Sequence, residues 1–176
     1  MVKKIVILGP ESTGKTTLSE QLAVHYDTVW CPEFARQYLL QHGMNYQYND
    51  LLTIAKGQIA LEDEYAEKAG KAPFFFIDTD MHVMKVWCEF VFENCHRFIL
   101  DQIASRKYDL YLLCNVDLAW TSDELREYPD LESREKLYRI YKDIMINQSI
   151  PWVDISGDYG ERLQRAIRGV DAHGFA

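Results

Sequence analysis

Gly9, Pro10, Glu11, Ser12, Thr13, Gly14, Lys15 and Thr16 fit the phosphate-binding pattern G-x-x-x-x-G-K-[ST] at every fixed position. Each residue type has a task. The glycines let the backbone wrap closely round phosphates while successive amides face the anion. Lys15 reaches the β/γ oxygens, and Thr16 offers a hydroxyl to Mg²⁺. With Thr17 directly behind it, the run is a nucleotide-binding segment whose expected cofactors are ATP and Mg²⁺. Context supports the match: Lys3 to Leu8 is an apolar strand leading into the loop, and Thr17 to Ala23 continues as an amphipathic helix.

Phosphoryl transfer asks for metal holders, an acceptor base and cations for developing charge more than for a covalent nucleophile. Asp78, at the end of the run Phe74-Phe75-Phe76-Ile77-Asp78, suits a Walker-B-type metal carboxylate partnering Thr16. Asp80, two residues on, shares its strand face if the strand persists and then serves the metal or the acceptor; alternatively it caps the following helix. Glu33, with Arg36 one helical turn on, suits the mouth of an acceptor site, where a carboxylate takes a hydroxyl proton or holds a ribose diol and an arginine orients it or meets a phosphate. An ordinary surface pair is the competing interpretation. The polar segment 117–130, with Arg126 inside it and Arg134 just beyond, has the composition of a lid that brings an arginine onto the transferring group and excludes water. A solvated loop is the alternative. Lys15, Asp78, Glu33 and Arg126 are therefore the catalytic candidates, and Arg134 joins the nucleotide-binding set.

The elements that must position these groups alternate strand and helix, which implies a parallel sheet with helices on both faces. The strands are expected at 3–8, 27–33, 74–80, 108–115 and 151–156. Helices are expected from 17, at 34–42, about 50–68, in two pieces over 81–106, at 131–148 and at 159–168. Gly43 closes the second helix, and Gly70 with Pro73 ends the third. This is the α/β class, a P-loop NTPase of nucleoside/nucleotide-kinase type with a five-stranded parallel sheet and a lid. The turn 156–160 lies where such a protein packs its nucleotide base.

The 176 residues suit one compact domain over 1–176. With 19 Lys+Arg against 27 Asp+Glu, the net charge of −8 argues against nucleic acid or anionic lipid as partner. A small-molecule nucleoside is the expected partner, and the sequence leaves oligomeric state open. The first strand begins almost at once with no signal peptide ahead of it, and no apolar run approaches a membrane span, so a cytoplasmic protein is expected. Cys31 and Cys114 fall in predicted strands and Cys88 and Cys95 in helical segments; without C-x-x-C pairing they read as reduced core thiols rather than a metal site.

Taken together, the loop from Gly9 to Thr17, the stretch Glu33-Phe34-Ala35-Arg36-Gln37-Tyr38, Phe76 to Asp80, the lid's Trp120, Asp123 and Arg126, and Ser156-Gly157-Asp158-Tyr159 resemble the ribosylnicotinamide kinase domain of the bacterial NAD-biosynthesis regulator NadR and its stand-alone relatives. The resemblance covers nearly the whole chain. It implies ATP- and Mg²⁺-dependent phosphorylation of the ribose 5′-hydroxyl of nicotinamide riboside, with Asp78 or Glu33 activating the hydroxyl and the lid arginine steadying the phosphoryl group. Two positions depart from the family pattern. Pro32 stands where a tryptophan suited to stacking on the nicotinamide ring is expected, and Glu124 stands where glycine is. Trp30 or Trp120 is left to supply a flat surface for a cationic pyridinium, core packing being the alternative for Trp30. Two other functions stay open: a kinase of the same build acting on another nucleoside or small hydroxylated acceptor, and a regulatory module that binds and hydrolyses NTP.

Overall fold

The computed structural model describes residues 2–122 and 125–174, so Asp123 and Glu124 of the lid lie outside the described residues. Five strands form one parallel sheet: β1 (Lys3–Leu8), β2 (Trp30–Cys31), β3 (Phe74–Asp78), β4 (Leu110–Cys114) and β5 (Trp152–Ile155). Their spatial order is β2-β3-β1-β4-β5. Among the described residues seven helices connect and flank them: α1 (Lys15–His25), α2 (Phe34–His42), α3 (Tyr48–Ala69), α4 (Met81–Phe92), α5 (Arg97–Ser105), α6 (Leu131–Asn147) and α7 (Tyr159–Gly174).

The central strands are apolar on both sides because both sheet faces are covered, and β3 and β4 are buried along their whole lengths. Alternation sorts their side chains. Ile5, Ile7, Phe74 and Phe76 face a cluster with Leu18 and Leu22 of α1 and Ala166 and Val170 of α7. Val6, Leu8, Phe75 and Ile77 face the opposite layer with Leu137, Tyr141 and Met145 of α6. A third cluster, including Ala35, Leu51, Ile54, Met84 and Ile99, packs α2 to α5 together beside the sheet. A buried Glu62 ties α3 to this frame, accepting from Lys4 Nζ (3.2 Å), Arg106 (2.8 Å) and the Tyr108 hydroxyl (2.9 Å).

The chain leaves β1 toward β2 on one side and returns to β4 on the other, so the crevice at the carboxyl ends of β1 and β4 is the topological switch point. Gly9 sits there at φ 140°, and a Cβ on it would lie 2.6 Å from the Cys114 carbonyl oxygen. No side chain fits between these strand ends.

Several boundaries differ from those read in the sequence. The second strand contracts to two residues because Asp27 takes a left-handed turn (φ 49°) and Pro32 has no N–H for a ladder. The third ends at Asp78, since Thr79 adopts φ 79° and turns the chain into α4. Glu93, in the left-handed region, separates α4 from α5 and leaves Cys95 in their connection rather than in a helix. All four cysteines are free; Cys31, Cys88 and Cys114 are buried, and burial pushes these three thiols up to about 12. No group of His, Cys, Asp or Glu suited to a metal ion occurs among the described residues, nor does a helix long and apolar enough to cross a membrane.

Candidate active site

The phosphate loop joins β1 to α1 and is tied internally before any ligand arrives. The buried Thr13 hydroxyl donates to the Pro10 carbonyl (2.8 Å), and Lys15 Nζ donates to the same oxygen (2.8 Å), which holds the ammonium against the inside of the loop. Arg162 of α7, only 2% exposed, braces it from behind. Its guanidinium donates to Thr13 O (2.8 Å), Asn115 O (2.9 Å) and Gly157 O (2.8 Å) and pairs with the Asp117 carboxylate, which in turn accepts from Gly157 N (2.6 Å). The loop, the end of β4 and the turn after β5 are thereby one unit. Sequence reasoning missed Arg162, because an arginine on a terminal helix carries no signal that its charge is spent on carbonyls. A Cβ on Gly14 would lie 3.1 Å from Leu118 and 3.4 Å from the Tyr159 ring, which is 52% exposed beside the loop. An open aromatic face thus stands in the turn expected to receive the base.

Asp78 is fully buried at the end of β3. Its Oδ2 accepts from Thr16 Oγ1 at 2.6 Å, while Oδ1 is buried without a partner. Burial, reinforced by the negative charge of Glu33, pushes this carboxyl up to about 7 against the opposing effects of Lys15 and the Thr16 hydrogen bond. A buried orphan carboxylate oxygen beside a hydroxyl is a hard oxygen pair that fits Mg²⁺.

Asp80 departs from its proposed substrate role. With β3 already ended, it is the N-cap of α4, accepting from His82 N (3.0 Å), His82 Nδ1 (2.8 Å) and the Tyr111 hydroxyl (3.3 Å). Its lone pairs are committed to that buried network, which is the capping alternative.

A cavity of ≈ 220 Å³ opens beside the loop. Gly9 through Thr16 form one wall, Glu33 and Arg36 a second, and Val83, Val86, Trp87 and Phe90 of α4 a third. Leu125 to Tyr128 of the lid also line it. The structure therefore brings Lys15, Thr16, Glu33, Arg36 and Arg126 to one space, with Asp78 directly behind Thr16. Glu33 is the N-cap position of α2 but makes no side-chain capping bond, so its carboxylate is not consumed by the helix. Arg126 donates to the Thr121 carbonyl within the lid. Arg134, 3% exposed, donates to Ser12 O and Leu118 O (both 3.2 Å) and pins the lid's base to the loop. Thr17 lies on α1 just behind the loop and does not line the cavity.

The tryptophans sort differently from expectation. Trp30 packs against the cluster of Ile5, Phe74 and Phe76 on the sheet face opposite α6, so it is a core residue and not a substrate platform. Trp120 lies against the loop, its Nε1 donating to Glu11 Oε1 (3.3 Å). The tryptophan in the cavity wall is Trp87, whose Nε1 donates to the Tyr46 hydroxyl (2.9 Å). Its sequence signal was the spacing Val83, Val86, Trp87, Phe90, one helical stripe that continues from the third strand to the cavity.

Against known proteins, a family model described as an AAA domain, AAA_28, matches residues 4–162. The chain belongs to the AAA_28 family. Among relatives, this AAA_28 chain is 29% identical over 171 residues to the trifunctional NAD biosynthesis/regulator protein NadR of Salmonella typhimurium (strain LT2), covering 94% of this chain and 41% of the relative. The chain thus spans less than half the length of that relative. Among solved structures, NadR protein in complex with NR superposes with a TM-score of 0.82 at 22% identity, covering 99% of this chain and 52% of the other. NadR in complex with NAD and AMP-PNP gives 0.74 at 22% identity, covering 99% and 50%. Thymidylate kinase from Candida albicans gives 0.68 at 15% identity, covering 97% and 92%. The fold of this AAA_28 chain is that of the P-loop kinases, as the strand order and loop position indicate.

Proposed function

We propose that this protein is an ATP-dependent kinase that transfers the γ-phosphoryl group to the ribose 5′-hydroxyl of nicotinamide riboside, giving nicotinamide mononucleotide and ADP. The observation that carries the kinase reading is a cavity that reaches well beyond the phosphate loop. A phosphate loop with its buried carboxylate occupies one wall, and a compartment lined by Glu33, Arg36 and an apolar stripe of α4 occupies the others. A module that only binds and hydrolyses NTP has no need of that second compartment. The likeness to NadR, one structure of which holds NR and another AMP-PNP, supports the choice of acceptor.

In this reading the loop amides and Lys15 hold the triphosphate, and the exposed face of Tyr159 beside Gly14 takes the base. Thr16 and Asp78 would hold Mg²⁺, which supplies neutralisation of phosphate charge when bound. Glu33 accepts the 5′-hydroxyl proton as the oxygen attacks phosphorus and the bond to the ADP oxygen breaks; Arg36 orients the acceptor and Arg126 faces the charge on the transferred group. Trp87, with Glu33 and Glu127 at the same cavity, offers an aromatic face and negative charge suited to a cationic ring.

The second reading is a different nucleoside as acceptor, favoured by Pro32 and by the relocation of the cavity tryptophan to Trp87. Purified protein with Mg²⁺-ATP and a panel of nucleosides separates the two. Phosphorylation of nicotinamide riboside at far higher kcat/KM than the others supports the first, and a preference for another acceptor supports the second.

A further inference from the structure

The segment Leu125–Tyr128, a strap along the wall of the cavity, is fastened on both sides. On the phosphate side, Glu11, a residue of the phosphate loop itself, accepts from Glu127 N (2.9 Å), Tyr128 N (2.7 Å) and Trp120 Nε1 (3.3 Å). Next to it, Ser12 Oγ accepts from Thr121 N at 3.0 Å. On the acceptor side, the Glu127 carboxylate accepts from the Tyr46 hydroxyl (2.9 and 3.1 Å to its two oxygens). Tyr46 stands in the α2–α3 connection, edge-on to Trp87 with ring centroids 5.0 Å apart, and its oxygen accepts from Trp87 Nε1 at 2.9 Å. One hydroxyl therefore links the cavity tryptophan to the strap, and the strap backbone links onward to the phosphate loop.

The chemistry of this chain makes Tyr46 a needed member. Glu11 and Glu127 are two carboxylates brought close by the same strap residue. Burial, opposed by the Tyr46 hydrogen bond and helped to a lesser degree by the charge of Glu11, raises the Glu127 carboxyl from its ordinary value. A neutral donor on the outer carboxylate offsets the repulsion without adding a cation to the site. Removing it takes the protein partner from Trp87 Nε1 and unties the exposed Glu127 carboxylate from the acceptor side at the same point.

We propose that Tyr46 is a positioning residue that fastens the strap to the acceptor compartment, so that a ring settling against Trp87 and a strap docked on Glu11 stabilise one another and Arg126 is seated over the phosphates only when both anchors hold. Coupling of this kind is reciprocal: acceptor binding tightens strap docking, and strap docking tightens acceptor binding. The catalytic consequence rests on the kinase reading above, whereas the anchoring itself does not.

The test compares Tyr46→Phe with wild type and with a control, Tyr48→Phe, whose ring stacks on His96 away from the strap. The first readout is trypsin cleavage after Arg126 in the protein alone. Tyr46→Phe is expected to be cut several-fold faster at that bond, with the control unchanged and circular dichroism identical in all three. The second readout uses Mg²⁺-ATP and whichever nucleoside the wild type phosphorylates. Tyr46→Phe is expected to raise the acceptor KM and the ratio of ADP to phosphorylated product several-fold while leaving the ATP KM nearly unchanged. Equal cleavage of wild type and Tyr46→Phe overturns the anchor, and faster cleavage with unchanged KM and ADP-to-product ratio overturns the coupling. A wild type that phosphorylates no nucleoside defeats the kinase reading, and the cleavage comparison still decides the anchor.

Discussion

Thr16 Oγ1 and Asp78 Oδ2 share a 2.6 Å hydrogen bond across the junction of α1 and β3, and the second oxygen of that carboxylate is buried with no partner. A group this costly to bury survives where a ligand completes it. The pair ties α1 to the end of β3, where Asp78 stands in register with Ile7 of β1, just before the phosphate loop.

Asp78 therefore ties activity to pH and to metal. Its ordinary value is 3.8 and burial carries it to about 7, so between these values the folded protein holds a proton that the unfolded chain has released. Stability without Mg²⁺ should fall as pH rises from about 4 to about 7 and remain low above that. Asp78→Asn, which cannot ionise, should raise Tm at pH 8 by several degrees, show no gain at pH 4, and lower turnover by orders of magnitude. Thermal denaturation at the two pH values, with and without Mg²⁺, checks the stability arm. A Tm gain independent of pH would contradict the assignment.

Lys15 is held by the Pro10 carbonyl and contributes nothing to the core. Lys15→Ala should abolish transfer, a loss of about 10³-fold or more for a charge acting on the transferring phosphoryl, while circular dichroism stays near wild type and Tm falls only where Asp78 is ionised, because Lys15 offsets that buried charge. Full activity in this variant would remove the loop from the mechanism.

The tryptophans give a paired test. Trp87→Phe should raise the acceptor KM about tenfold and remove the fluorescence response to nicotinamide riboside. Trp30→Phe should leave that response in place and act on stability alone, because Trp30 packs on the sheet face opposite α6. The reverse pattern would restore the platform to Trp30.

Arg162→Met should destabilise by about 3 kcal/mol, since it leaves the Thr13, Asn115 and Gly157 carbonyls at the phosphate loop without their donor. ATP affinity should fall with it, because Thr13 loses its brace. Chemical denaturation and nucleotide titration on the same preparation measure both.

Much of this was legible from residue types. The phosphate loop declares itself because its chemistry needs glycine, lysine and threonine at fixed spacing, and the apolar runs at β1, β3 and β4 betray strands covered on both faces. Glu33 and Arg36 line the cavity, as their place at a strand end suggested, although an ordinary surface pair has the same spacing. Asp80 was ambiguous for a physical reason: whether it faces the cavity depends on the φ of Thr79, and a left-handed threonine has no sequence signature. Trp30 was set beside the substrate because a two-residue edge strand cannot be told from a longer one by composition, and so neither can the sheet face that a side chain on it takes; Trp87, which lines the cavity, was not singled out. Arg162 and Tyr46 act only through tertiary contacts from distant segments, which no local pattern encodes.

The most direct test of the central claim is the stoichiometry of one reaction: purified protein, Mg²⁺-ATP and nicotinamide riboside, with ADP and nicotinamide mononucleotide measured together over time. One mononucleotide formed per ADP, abolished by Lys15→Ala, is the result expected. ADP released at the same slow rate with or without nicotinamide riboside, and with no mononucleotide formed, would contradict it.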